Sequence, residues 1–171
     1  AAGVGSVTGL APMARFGGRD RWTEKKEATM ARGYMGKILD INLSTGKMHD
    51  EPLDEDACRG LVGGYGIGDK LLYERLRPGV DPLGPENLLI FLTGPFTGTP
   101  ALGGSRYVVV CKSPLTETLG DANSGGTWGP MLKFAGYDGV VFSGASDRPV
   151  YLSIENGRAE LHNASWLWGK D

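Results

Sequence analysis

Two cysteines and two histidines in 171 residues leave little from which to build a side-chain metal centre. Cys58 and Cys111 form no Cys-x-x-Cys pair, and His49 and His162 stand far apart in the chain. Zinc and iron sites made from these side chains use closer, paired spacings. The sequence leaves a disulfide between the two cysteines open. Two thiols in a chain without a clear secretory leader point to a reducing, cytoplasmic compartment. A one-sided charge is also missing: 18 Lys and Arg against 20 Asp and Glu give a formal net charge of −2. That excludes the basic excess of a nucleic-acid footprint. Long apolar runs are absent too; stretches such as Leu88 to Leu92 are far too short to span a bilayer, so no membrane role is expected.

Glycine is what the chain has in excess, with 28 residues. They follow no Gly-X-Y repeat, which excludes collagen. They cluster at turns, where backbone must take positive φ or come close to something else. The first 29 residues differ from the rest: "AAGVGSVTGLAPMARFGGRDRWTEKKEAT" has no periodicity and no apolar core. Residues 1–29 therefore read as a disordered or externally derived leader, and residues 30–171 as the folded unit.

From Tyr34 the pattern is periodic. "GKILDINLSTGKMHDEPL" alternates with period two around Ser44-Thr45-Gly46 and predicts a β-hairpin. "LDEDACRGLVGGYGIGDKLLYERL" predicts one helical stretch, capped by Asp54, interrupted by glycines and ended by Pro78, Pro82 and Pro85. "NLLIFLTGP" reads as a strand buried on both faces, and "RYVVVCKS" as another strand. Trp128 to Ala135 suits a short helix with Pro130 in its first turn. "GVVFSG", "PVYLSIEN" and "RAELHN" predict three more strands, the last two joined by Asn156-Gly157 in a type I′ turn. The expected class is α+β and β-rich: two packed antiparallel or mixed sheets, seven or eight strands and about two helices.

Two glycine clusters invite a chemical reading. "GGYGIG" at 63–68 lies inside the helical pattern rather than between a strand and a helix, so close packing explains it better than dinucleotide binding. "ANSGGTWG" places Asn123, Ser124, Gly125 and Gly126 after a β-rich run and before a short helix, with Arg106 upstream at a strand start. Bare N–H groups there can receive an anion, and a guanidinium can pair with phosphate. On the residues alone a tight structural turn stands as the first reading of this loop, with the anion cradle beside it.

The blocks "YMGKILDINLSTGK", "PGVDPLGPENLLIFLTGPFTGTPALGGSRYVVVCKSPLT", "ANSGGTWGPMLKFAGYDGVVFSG" and "NASWLWGKD", in that order over residues 34–171, resemble the amino-terminal domain of the aldehyde ferredoxin oxidoreductase family. The resemblance implies enzymes that oxidise aldehydes to carboxylic acids on tungsten (or molybdenum) held by two pyranopterin dithiolenes. It implies electrons leaving through a [4Fe-4S] cluster to ferredoxin. By position, it implies that Arg106 contacts a pterin or its phosphate. It implies that the Asn123 backbone carbonyl meets a bridging Mg2+, and that Gly125 allows close backbone approach. Ser124 and Gly126 flank these. No catalytic side chain is assigned. Family members continue with a second pterin-binding segment and largely helical domains that carry the cluster cysteines. The resemblance thus implies a truncated half-site, inactive alone, whose partners are the remaining oxidoreductase domains or subunits. Self-association through its uncovered face is expected. Tyr65 stands where many relatives carry Arg, which puts that position in doubt. The alternative is a non-catalytic β-rich scaffold or interaction module that keeps the fold.

Overall fold

The computed structural model describes residues 33–170; the leader expected at 1–29 lies outside them. Strands β1 (Lys37–Asn42) and β2 (Lys47–Pro52) form the expected hairpin. Helices α1 (Glu55–Leu61) and α2 (Tyr65–Arg75) follow. Then come β3 (Leu89–Thr93), β4 (Tyr107–Lys112), β5 (Leu119–Ser124), α3 (Trp128–Phe134), β6 (Gly139–Ser143), β7 (Val150–Glu155) and β8 (Arg158–Asn163). Six strands make a mixed sheet in the order β2-β1-β6-β3-β4-β5, and β7 and β8 pair separately. The class is α+β and β-rich, as expected. Among the described residues, no helix is long and apolar enough to cross a membrane.

Local chemistry accounts for several boundaries. Asp54 caps α1, its carboxylate accepting from the Asp56 N–H. The helical stretch is two helices rather than one, because Val62, Gly63 and Gly64 all take positive φ (67°, 145° and 52°). That reversal turns α2 back over the sheet, where the Gly64 N–H donates to the Thr93 carbonyl. Asn156 and Gly157 sit at φ 50° and 78°, the geometry a two-residue hairpin turn needs.

Strand alternation sorts the core into two layers. Ile38, Ile90, Leu92, Val108, Val110 and Val141 face α1 and α2, meeting Cys58, Ile67 and Leu72. Leu39, Ile41 and Val140 face the other way, onto Leu132 and Tyr137, with Leu152, Ile154 and Leu161 of β7 and β8 packed against them. The packing reading of the 63–68 glycines holds at Gly68, where a Cβ would lie 2.8 Å from Val110 Cγ2. At Gly66 a Cβ would lie 2.4 Å from the Leu61 carbonyl oxygen. β3 departs from the expectation of burial on both faces. Ile90 and Leu92 are fully buried, but Leu89 is 40% exposed, because the β7–β8 hairpin covers only part of that side.

Candidate functional site

The site lies where β4 begins and β5 ends. The connection from β3 to β4 is tied down by Thr97, which is buried: its hydroxyl donates to the Arg106 carbonyl at 2.7 Å and accepts from the Gly94 N–H at 3.2 Å. Arg106 is thereby fixed just ahead of β4 while its side chain stays exposed. Asn123 pairs in register with Val108 across β4 and β5, so both point to the α2 side of the sheet. There the Arg106 Nη1 donates to Asn123 Oδ1 at 2.7 Å, and Asn123 Nδ2 donates to the Tyr65 hydroxyl at 3.1 Å. Tyr65 is the first residue of α2, delivered by the Gly63-Gly64 reversal.

The structure brings Arg106, Asn123 and Gly125 together: a Cβ on Gly125 would lie 4.0 Å from Arg106 Cδ. Ser124 ends β5, with its side on the opposite face from Asn123, and Gly126 begins the turn at φ 89°. Asn123 belongs to the strand rather than to the turn; Gly126 and Thr127 make the bend. α3 is only seven residues long and has no side-chain cap. A dipole that short adds little to the charge of the site, which comes from Arg106.

Three glycines, Gly60, Gly94 and Gly125, have neither a positive φ nor a tight Cβ contact to explain them within the described residues; Gly60 lies on the exposed side of α1, and the other two stand near Arg106. Gly94 has no positive φ and a Cβ there would meet nothing within 4 Å. Gly125 also has no positive φ, and its Cβ would make only ordinary contacts at 3.7 and 4.0 Å. Neither conformation nor packing inside this domain requires glycine at these positions.

Trp128 lies apart from Arg106, on the other side of the sheet. Its ring centroid is 4.5 Å from that of Tyr107 and 5.4 Å from that of Phe91, and Phe91 meets Phe142 edge-on at 5.9 Å. These rings line a cavity of about 700 Å³ under the β7–β8 hairpin. Asp40, His49 and Glu51 bring ligand atoms within 4.8 Å of one another. However, the Arg75 guanidinium bonds both carboxylates, so that cluster is already charge-compensated. Cys58 and Cys111 are free thiols, and burial pushes both up. Such thiols are poor nucleophiles and poor ligands.

One turn along α2 from Tyr65, Asp69 Oδ1 is buried and, among the described residues, has no hydrogen-bond partner. Desolvation raises its pKa, and the Asp121 charge on β5 adds to the rise. A carboxyl whose folded pKa exceeds the unfolded one destabilises the fold as pH climbs from the ordinary Asp value through the raised one. Asp69→Asn should therefore flatten the stability loss over the range that opens at the ordinary Asp value, about pH 4, and raise stability at neutral pH. Thermal unfolding across that range checks this; an unchanged slope in the variant counts against it.

Fold and site together define an α+β, β-rich domain with an exposed guanidinium held at one end of its sheet. The family model described as aldehyde ferredoxin oxidoreductase, N-terminal domain, matches residues 38–171. A tungsten-containing aldehyde ferredoxin oxidoreductase of Pyrococcus abyssi is 48% identical over 138 residues, covering 81% of this chain and 23% of that protein. An aliphatic sulfonate oxidoreductase, WOR-like subunit, of Pyrococcus furiosus is 40% identical, covering 80% of this chain and 22% of that one. Among solved structures, the active-site complex of benzoyl coenzyme A reductase with 1,5-dienoyl-CoA superposes with a TM-score of 0.80 and 40% identity, over 82% of this chain and 21% of that one. The chain belongs to the aldehyde ferredoxin oxidoreductase family and forms its N-terminal domain. It spans under a quarter of the length of the relatives it matches.

Tyr65 and Thr97 are the site residues that sequence reasoning did not assign. Thr97 had a signal in the Gly/Thr-rich run "GPFTGTPALGGSR". Tyr65 was marked only as a departure from the family pattern, with no role given to it, since its partner stands 58 residues away.

Proposed function

We propose that this domain is the cofactor-receiving half of a cytoplasmic oxidoreductase that oxidises an aldehyde, with water, to a carboxylate, releasing two electrons to ferredoxin. The observation that carries the proposal is the coincidence, around one exposed guanidinium, of two glycines that the domain's own packing and backbone do not require. The residues suit a large, multiply anionic group such as a tungsten (or molybdenum) bis-pyranopterin. Arg106 would hold a phosphate, and the Asn123 backbone carbonyl would face a bridging Mg2+. Gly125 would admit the cofactor against the chain, with Ser124 and Gly126 beside it. When bound, that group supplies the two-electron chemistry. This chain's contribution is to bind and orient it. The [4Fe-4S] cluster and the groups around the substrate belong to the rest of the enzyme, so the domain alone is inactive. Two free thiols fit the reducing compartment.

The test compares Arg106→Ala and Gly125→Ala in the complete enzyme. Losing a charge-assisted contact to phosphate costs about 1.5–3 kcal/mol of binding. Tungsten per mole should fall in both variants. Unfolding of the metal-free Gly125→Ala protein should stay within about 1 kcal/mol of the parent, because its Cβ has room and its φ is ordinary. Full metal content in both variants would restore the scaffold reading. Apo stability that falls in step with occupancy would restore the structural turn.

A further inference from the structure

The hydrogen-bond inventory at Asn123 has only one solution. A guanidinium can only donate, so Asn123 must turn Oδ1 to Arg106. Its Nδ2 can only donate, so the Tyr65 hydroxyl must accept. The Tyr65 hydrogen is then left without an acceptor among the described residues. Beside it opens a cavity of about 340 Å³ lined by Gly63, Gly64, Tyr65, Gly94, Thr97 and Arg106. Tyr65 is half-buried, and the Gly63-Gly64 reversal fixes its backbone. Among the described residues Arg106 uses Nη1 alone, so its remaining N–H groups are available to the same cavity.

We infer that Tyr65 is a binding and positioning residue of the anion site: it locks Arg106 through Asn123 and offers its own O–H to a phosphate oxygen of the ligand. A side chain at 65 thus does two things at once. Its hydroxyl accepts from the Asn123 amide that Arg106 has oriented, and so helps to hold the guanidinium in place before any ligand arrives. Preorganisation of this kind raises retention of the ligand without requiring new contacts in the rest of the site. The inference rests on the cofactor reading above and sharpens it by one residue.

The experiment measures the complete enzyme purified with its cofactor. Tyr65→Phe, Arg106→Ala and the double variant are compared for tungsten per mole, for the rate of tungsten release on dilution, and for unfolding of the metal-free forms. Tyr65→Phe removes only the hydroxyl. It should release tungsten about tenfold faster, with metal-free unfolding unchanged. The double variant should release tungsten more slowly than the product of the two single effects, since part of the Tyr65 effect passes through Arg106. If Arg106→Ala loses tungsten while Tyr65→Phe keeps it, the Tyr65 inference is wrong and the cofactor reading stands. If neither loses tungsten, both fall. If Tyr65→Phe lowers metal-free stability as much as it speeds release, Tyr65 is a structural residue only; if the two effects simply add while metal-free stability holds, Tyr65 does not act through Arg106 and the positioning role is wrong.

Discussion

Replacing Asp138 by alanine is expected to cost about 3–5 kcal/mol, a large share of the roughly 5–15 kcal/mol that hold an ordinary domain together. Asp138 and Lys133 are 1% and 4% exposed and form an ion pair inside the protein. Asp138 Oδ2 also accepts from the N–H groups of Met35 and Gly36 at 2.8 and 2.7 Å, and Lys133 Nζ donates to the Gly33 carbonyl at 2.6 Å. One carboxylate thus joins α3 to the segment that leads into β1. Its backbone reaches β3, where the Thr93 N–H and hydroxyl both donate to the Asp138 carbonyl. Alanine would strand a buried ammonium and two backbone donors together. The double variant Lys133→Met with Asp138→Asn should be milder than Asp138→Ala, because it removes the charge while the amide oxygen can still accept from Met35 and Gly36. Denaturant unfolding of the three proteins is the measurement. A loss under about 1 kcal/mol for Asp138→Ala would mean the pair is not buried as described.

The neighbouring residue should be the second most sensitive. A Cβ on Gly139 would lie 2.4 Å from Leu92 Cδ2 and 2.6 Å from the Phe91 carbonyl oxygen. Leu92 is fully buried and has nowhere to turn. The Phe91 carbonyl belongs to β3, paired beside β6, and cannot withdraw without parting the strands. Gly139→Ala should cost about 1–3 kcal/mol and Gly139→Val more. β6 lies between β1 and β3, so the damage spreads to the connection that carries Thr97 and Arg106. Cofactor loss in a Gly139 variant should therefore track loss of fold stability, measured as tungsten content against metal-free unfolding. Gly125→Ala should separate the two. If Gly139→Ala unfolded like the parent, the tight β3–β6 contact would be wrong.

Much of the architecture is written in short stretches. Alternation at 37–42 and 47–52 needs only period-two burial, Asp54 only a carboxylate ahead of a helix, and Asn156-Gly157 only two residues that tolerate positive φ. These are local effects, so local reading reaches them, and the ordered blocks from 34 to 171 carried the family. Arg106, Asn123 and Gly125 also came from those blocks. What they could not carry was the reason for each glycine: positive φ at Gly126, packing at Gly68, and neither at Gly94 or Gly125. That distinction depends on which atoms stand opposite a missing Cβ.

The sequence by itself determined the class, the hairpins and the cap of α1. Each depends on backbone preference or side-chain period within a few residues. Tertiary structure alone decided the rest. β5, spelled Leu-Gly-Asp-Ala-Asn-Ser, has few strand-forming residues and exists because β4 pairs with it. β6 enters parallel to β1 across about a hundred residues of chain. Tyr65, Asn123 and Arg106 meet only because the α2 reversal and the β4–β5 register deliver them to one end of the sheet. Hydrogen bonds between residues so far apart leave no periodic trace; they become possible when burial of the two core layers has already fixed where each strand ends.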